Sequence, residues 1–241
     1  MDGIVDFHSH ILPGIDDGSR SVEESIAMLR MEAEQGISCV VATPHFYPRY
    51  ETPEAFLQKR NRAEAALRSA VQKIGGLPEL RIGAEVYYFR GISESDILPQ
   101  LTIRGGQCIL IEMPPAPWPE SVFQELEAIW HRRGITPVIA HIDRYIAPFH
   151  THKLPQRLQQ LPVLVQANAS FFLEKRTRRM ALNMLRKDQI QLLGSDCHNM
   201  DSRAPKLGQA VQLIEKCLGP EIFHRMNALE KEILVSEYAV F

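Results

Sequence analysis

The sequence has little of what marks several large protein classes. Its four cysteines, Cys39, Cys108, Cys197 and Cys217, lie far apart with no C-x-x-C pair. That argues against a zinc ribbon or a disulfide framework and leaves buried, reduced thiols as the plain expectation. Net charge is nearly absent, since 27 Lys and Arg against 29 Asp and Glu give −2. Without a global basic field, neither a nucleic acid held through its phosphates nor a polybasic membrane anchor is expected. The N-terminus opens directly into a strand, with no charged n-region and no long apolar stretch. No signal peptide or transmembrane helix is therefore predicted, and the expected location is the cytoplasm. Linkers, low-complexity tracts and long internal repeats are also missing.

What is present suffices for one sizeable core. The 241 residues are 45% hydrophobic and 23% charged, which fits a single catalytic domain spanning residues 1–241. Short apolar runs alternate with helical periodicity. Ile4-Val5 leads into the first strand exit, and Ser21-Val22-Glu23-Glu24 has the form of a capping box before a helix that Gly36 ends. Residues 37–43 and 80–86 read as the second and third strands, separated by a long helix capped by Thr52 with Pro53 at its first position. Residues 108–111, 136–140, 163–167 and 191–194 read as strands four to seven. Helices are predicted over 121–133, 174–187, 206–218 and 221–229, and the tail from 232 to 241 is ambiguous. Seven strands alternating with helices predict a parallel sheet closed or nearly closed into a distorted (β/α)7 TIM-like barrel, with its active site at the C-terminal strand ends.

Metal-capable side chains gather at those ends. In Asp6-Phe7-His8-Ser9-His10, alternation along an extended segment puts His8 and His10 on one side, where two imidazoles can share an ion. His45, Glu85, Glu112, His141 and the pair Asp196 and His198 follow later strands, and Asp16-Asp17-Gly18 follows the first. By contrast, His131, His150, His152 and His224 fall in helices or loops. Imidazole with carboxylate and no thiolate suits manganese, iron or zinc. The candidates outnumber the roughly three or four protein ligands that one ion takes, so two or three ions are expected, with a carboxylate such as Glu85 able to bridge. Neighbouring ions generate hydroxide at neutral pH and neutralise phosphoryl charge, which is equipment for phosphoester hydrolysis.

These motifs, with Thr43-Pro44-His45, Gly83-Ala84-Glu85, Glu112-Met113-Pro114, Ala140-His141 and Ser195-Asp196-Cys197-His198-Asn199, resemble the polymerase-and-histidinol-phosphatase (PHP) family. Within it they are most similar to the bacterial protein-tyrosine phosphatases of capsule and exopolysaccharide systems. The resemblance implies the PHP fold and a trinuclear, usually manganese-dependent site. It also implies phosphotyrosyl bacterial proteins as substrates, notably a tyrosine autokinase of polysaccharide export. By position it assigns His8, His10, Glu85 and Asp196 to one ion, Glu85, Glu112 and His141 to a second, and Asp17, His45 and His198 to a third, with Asp16 the rival of Asp17. Arg144 and Arg203 match the family's phosphate-contacting arginines, a role suited to a guanidinium fork. The chain departs from the family at His141-Ile142-Asp143-Arg144-Tyr145, where histidine-proline-glutamate-arginine-tyrosine is common, and at Cys197, where alanine is usual.

Two loops belong on the expected rim, 46–50 (Phe46-Tyr47-Pro48-Arg49-Tyr50) and the proline-rich 114–119. Their aromatics either flank a phosphotyrosine ring or pack over the barrel mouth. Rivals to the tyrosine phosphatase reading are a small-molecule phosphatase such as histidinol-phosphate phosphatase, a metal-dependent amidohydrolase, and a non-catalytic metal-binding regulator of a kinase. An amidohydrolase would usually supply a mid-barrel lysine where this chain has Glu85 and Glu112.

Cys197 and Arg203 also fit C-x5-R, the spacing of cysteine-dependent phosphatases. A loop that cradles phosphate is normally glycine-rich and starts a helix, whereas residues 198–202 contain no glycine and include Asp201. Cys197 therefore reads as a bystander. Accordingly, Cys197→Ser is expected to retain most phosphatase activity, while His8→Ala or a strong chelator abolishes it; the reverse pattern in a turnover assay overturns the metal mechanism.

Overall fold

The computed structural model describes residues 3–104, 107–149 and 153–235. Among the described residues there are nine strand segments: β1 (Ile4–Ser9), β2 (Ile37–Ala42), β3 (His45–Phe46), β4 (Glu79–Ile82), β5 (Glu85–Tyr87), β6 (Cys108–Glu112), β7 (Thr136–Ile139), β8 (Leu164–Asn168) and β9 (Leu192–Gly194). The helices are α1 (Val22–Glu34), α2 (Pro53–Ile74), α3 (Leu98–Leu101), α4 (Glu120–Arg133), α5 (Asp143–Phe149), α6 (Leu154–Leu158), α7 (Ala169–Leu173), α8 (Arg178–Arg186), α9 (Leu207–Leu218) and α10 (Pro220–Val235). All strand pairs are parallel, in the orders β1-β2-β4 and β3-β5-β6-β7-β8-β9.

The nine segments amount to the seven predicted strands, two of them broken. Thr43-Pro44 separates β2 from β3, and Gly83-Ala84 separates β4 from β5. Pro44 has no N–H to donate to a ladder. The buried guanidinium of Arg60 on α2 donates to the Gly83 carbonyl at 3.0 Å and the Gln100 carbonyl at 2.9 Å, partnering groups near the second break. After the breaks the chain resumes with His45 registered opposite Glu85, so the interruption brings two chemically useful side chains together.

Closure comes from the first and last strands. Asp196 N–H donates to the His8 carbonyl and His10 N–H to the Cys197 carbonyl, both at 2.9 Å, beside a parallel bridge between Ser9 and Cys197. Gly194 permits that approach, because a Cβ there would lie 2.5 Å from the His8 Cβ. One apolar cluster, including Val5, Phe7, Val41, Leu110, Val138 and Leu192, fills the barrel and is joined by Ile233 and Leu234 from the end of α10. A larger cluster packs the helices against the strands. Apolar runs on these strands therefore reflect burial on both faces.

Three helix expectations change. The predicted helix over 174–187 is shortened to α8, which starts only at Arg178, and a separate short helix, α7, precedes it and ends before Glu174. The Thr177 hydroxyl donates to the Phe171 carbonyl, and the Arg178 guanidinium to those of Phe172 and Leu173; these bonds satisfy the end of α7, so the chain turns. The helix predicted to end at residue 229 continues to Val235, held by Glu230, whose carboxylate accepts from Leu193 N–H at 2.8 Å. The short helices α3, α5 and α6 carry too few turns for periodicity to register. His150, His152 and the last six residues of the ambiguous tail, 236–241, lie outside the described residues.

Replacing Gly194 with alanine is expected to push β1 from β9 and lower stability by about 1–3 kcal/mol. Urea denaturation measures this, and an unchanged midpoint would contradict the close approach.

Candidate metal centre

At the closed seam of the barrel, local geometry departs from regular strand. The β1–β2 register shifts between Asp6 and Ser9. Asp6 faces Glu32 of α1, whereas His8 turns to Gln166 of β8 and Glu85 of β5. Such a shift re-aims side chains that strict alternation would leave on one face. His141 and Asp196, both at strand exits, adopt positive φ of 32° and 52°. Left-handed backbone is uncommon outside glycine and costs on the order of 1 kcal/mol or more, and it collects where a side chain must be aimed.

The structure brings all nine sequence-predicted donors to this rim. His8 Nε2 and His10 Nε2 lie 3.1 Å apart, each 3.3 Å from Glu85 Oε2 and 3.7 and 3.5 Å from Asp196 Oδ1. His141 Nε2 is 2.7 Å from Glu85 Oε1 and 3.8 Å from Glu112 Oε1. His45 Nδ1 lies 2.9 Å from Glu85 Oε2 and 3.8 Å from Glu112 Oε2. Asp17 Oδ1 is 3.5 Å from His45 Nε2 and 3.4 Å from His198 Nε2. At the rim, compact donor groups able to hold an ion are His8, His10 and Glu85; His45, Glu85 and Glu112; and His10, Asp17, His45 and His198, while a further group, Asp6, Glu32 and Cys197, lies behind it. His131 and His224 sit away from this rim, on α4 and α10.

Four imidazoles are held from behind. His10 Nδ1 bonds Asp16 Oδ2 at 2.8 Å, His8 Nδ1 meets Gln166 Oε1 at 3.3 Å, His141 Nδ1 meets the Tyr145 hydroxyl at 3.2 Å and His198 Nδ1 the Asp196 carbonyl at 3.0 Å. Each leaves Nε2 for the centre, the arrangement that sets tautomer and orientation in metal-ligating histidines. Asp16 is therefore spent on His10 and on the N–H groups of His45 and Gly18, while the largely exposed Asp17 reaches into a donor group. Burial and bonding separate the two aspartates in a way that adjacency in one loop does not reveal.

The donor set fits cations. Glu85 Oε2 is buried beside three imidazole nitrogens yet has no well-directed hydrogen bond, and His198 Nε2 is buried with none. Burial opposes charge on Glu85 and Asp196, but His8, with His10 and His141 for Glu85 and His10 and Arg144 for Asp196, holds both carboxyls well below their ordinary range. Burial also opposes charge on His10, yet Asp16 and Glu85 push its pKa up to about 10. Burial and then the neighbouring His10 push His198 down to about 4. Arg144 Nη2 is 2.7 Å from Asp196 Oδ2 and Arg203 Nη2 is 2.9 Å from Asp196 Oδ1, so both arginines close over the same carboxylate.

A family description, capsular polysaccharide synthesis CpsB/CapC, matches residues 4–235. The chain belongs to the CpsB/CapC family. It is 33% identical to the tyrosine-protein phosphatase CpsB of Streptococcus pneumoniae over 231 residues, 90% of this chain and 91% of the relative. It is 28% identical to the tyrosine-protein phosphatase YwqE of Bacillus subtilis, over 99% and 94% of the two chains. The fold superposes with a TM-score of 0.83 on a solved structure from work on YwqE of B. subtilis and CpsB of S. pneumoniae, described as unique metal-dependent tyrosine phosphatases; identity is 24% and coverage 96% and 94%. A phosphotriesterase homology protein of Escherichia coli matches at a TM-score of 0.55 and 12% identity, over 96% of this chain and 98% of that one, which shows the shared fold.

Measured against the CpsB/CapC expectation, Cys197 is fully buried, its sulfur 3.8 Å from Glu32 Oε1, and burial beside Glu32 and Asp6 raises its thiol pKa well above the ordinary value. A nucleophilic thiolate is excluded there. The rim-loop aromatics are placed differently. Phe46 is buried against Phe56, while Trp118 packs against Tyr145 and Phe123; Tyr47 instead places its hydroxyl 3.1 Å from Glu112 Oε2. The exchange to Ile142-Asp143 leaves Arg144 aimed at the centre. Sequence reasoning passed over Asp6, whose Oδ1 accepts from His8 N–H and Ser195 N–H, and Gln166, which holds His8 and accepts from His141 N–H at 2.6 Å. A glutamine inside an otherwise apolar parallel strand was the available signal.

Because an imidazole binds an ion only in its neutral form, and Asp16 and Glu85 favour the charged form of His10, ion binding is expected to release protons and metal affinity to rise with pH. Titration calorimetry in buffers of different ionisation enthalpy measures the released protons; buffer-independent heats would contradict the prediction.

Proposed function

We propose that this chain is a metal-dependent protein-tyrosine phosphatase that hydrolyses phosphotyrosyl proteins, with a tyrosine autokinase of polysaccharide export as the substrate. The observation that carries the reading is the convergence of His8, His10, His45, His141 and His198 with Asp17, Glu85, Glu112 and Asp196 beneath two arginines, in a chain one-third identical to a named tyrosine phosphatase. The nine donors are proposed to hold two or three ions, manganese by preference and iron or zinc as other fits to an N/O set. Residues 1–241 are read as one catalytic domain in the cytoplasm. Among the described residues no helix is long and apolar enough to cross a membrane.

When bound, the ions supply a hydroxide nucleophile at neutral pH and neutralise charge on phosphoryl oxygen. The chain does the rest. Arg144 and Arg203, each over one-third exposed and anchored on Asp196, present planar donors at the open side of the centre, where a phosphoryl group is held and its developing charge stabilised. Tyr145 fixes His141 and also accepts Met113 N–H, tying the fourth and fifth strand exits together. Tyr47, bonded to Glu112 and half-buried, forms a wall of the mouth with Tyr87 and Tyr50, and the 80% exposed Tyr50 offers a face to an incoming ring.

Purified protein is expected to contain metal and to hydrolyse phosphotyrosyl peptide far faster than histidinol phosphate, with turnover stimulated by added manganese. Absence of both metal and metal-stimulated turnover would sink the reading, and preference for histidinol phosphate would transfer it to a small-molecule phosphatase. Arg144→Ala is expected to lower kcat/KM by about 100-fold with metal content retained; loss of metal in that variant would make Arg144 a structural support instead.

A further inference from the structure

Outside the metal centre, the segment from Lys175 to Lys187 concentrates positive charge that the chain as a whole lacks. It contains Lys175, Arg176, Arg178, Arg179, Arg186 and Lys187, bounded by Glu174 and Asp188. These cations are not equivalent. Arg176 Nε bonds Glu174 Oε2 at 2.8 Å, and Arg178 is committed to the carbonyls of Phe172 and Leu173. Arg179 and Arg186 are exposed and, among the described residues, have no carboxylate within ion-pair distance. Arg179, Asn183 and Arg186 recur at helical spacing on one stripe of α8.

That stripe lines a groove. With Arg176 and Met180 it bounds a depression of 570 Å³. A second depression of 470 Å³ shares Arg176 and Met180 and continues over Thr177, Glu174 and Ser170 to Asp143. Asp143 immediately precedes Arg144, whose guanidinium lies on Asp196 in the metal centre. The two depressions share Arg176 and Met180 and so form one path from the unpartnered arginines to Asp143, the chain neighbour of Arg144.

We propose that this path binds an acidic segment of the substrate chain, flanking the phosphotyrosine and seated on Arg179 and Arg186. The inference rests on the phosphatase reading and adds a substrate-selecting surface to it. Charge complementarity names the occupant. Two unpaired guanidinium groups along a concave strip suit carboxylates or phosphates arrayed on an extended chain. From Arg179 to Arg186 the helix advances about 10 Å, a distance that roughly three extended residues cover. A lipid surface is less well matched, because the exposed large apolar residues, Tyr50, Ile74, Met200 and Val235, all lie off α8. Rim charges of this kind act on encounter and ground-state affinity more than on chemistry.

The test compares wild type with the double variant Arg179→Glu/Arg186→Glu on a phosphotyrosyl peptide with an acidic flank, one with a neutral flank, and para-nitrophenyl phosphate. Wild type is expected to show the lower KM for the acidic peptide, with the difference shrinking as salt is raised. The double variant is expected to raise KM for the acidic peptide by about fivefold or more with kcat unchanged, leaving the neutral peptide and para-nitrophenyl phosphate as in wild type. Equal KM values for the two peptides in wild type, or equal losses on both in the variant, overturn the groove while the phosphatase reading stands. Wild type that hydrolyses none of the three substrates overturns both. Cosedimentation with phosphatidylserine–phosphatidylcholine vesicles that the double variant loses, with peptide KM unmoved, replaces the peptide by a lipid surface.

Discussion

The constraint on which the centre depends is orientation of imidazoles from outside. His8, His10, His141 and His198 each engage a partner through Nδ1, and the partners come from β8, the loop after β1, α5 and the backbone after β9. An imidazole with one nitrogen engaged has its ring plane and tautomer set, so its other nitrogen can wait for an ion without reorganising. Glu85 stands between them and is reached by His8, His10, His45 and His141 at 2.7–3.3 Å. Burial of so many charged groups is tolerable only because opposite charges lie within contact distance, and breaking one partner would leave the rest uncompensated.

That demand explains oddities elsewhere in the barrel. The breaks at Thr43-Pro44 and Gly83-Ala84 interrupt regular strand, while Gly83 N–H still reaches the Ala42 carbonyl and Glu85 N–H the Pro44 carbonyl, and His45 is set opposite Glu85. Positive φ at His141 and Asp196 and the tight passage of Gly194 past His8 are strains located where strands deliver the clustered imidazoles and carboxylates. Asp6 ties the two most important exits by accepting from His8 N–H and Ser195 N–H. Its outward face meets Glu32 and Cys197, so the cysteine that mimics a C-x5-R nucleophile in sequence belongs to the scaffold behind the centre.

Much of this was readable in order along the chain. Alternating apolar runs and capped helices predicted seven parallel strands, and position at strand exits alone separated five histidines from His131 and His224. The remainder was not readable for identifiable reasons. A helix stops at Leu173 because side chains from Thr177 and Arg178 satisfy its last carbonyls, and that competition leaves no periodic signal. Gln166 and Tyr145 act through rings far away in sequence, 158 residues from His8 in the first case.

Sequence alone determined the chemistry available here: which residue types stand at which strand ends, the lack of thiolate ligands in that set, and the local preferences that make strand and helix. Those properties are written in residue identity and short-range spacing. The tertiary structure decided which of Asp16 and Asp17 lies behind His10 and which faces His45 and His198, that Cys197 is walled off, that Arg144 and Arg203 share Asp196, and that Arg179 and Arg186 line a groove. Each of these depends on burial and on partners from distant strands and helices, quantities that come into existence only when the barrel closes.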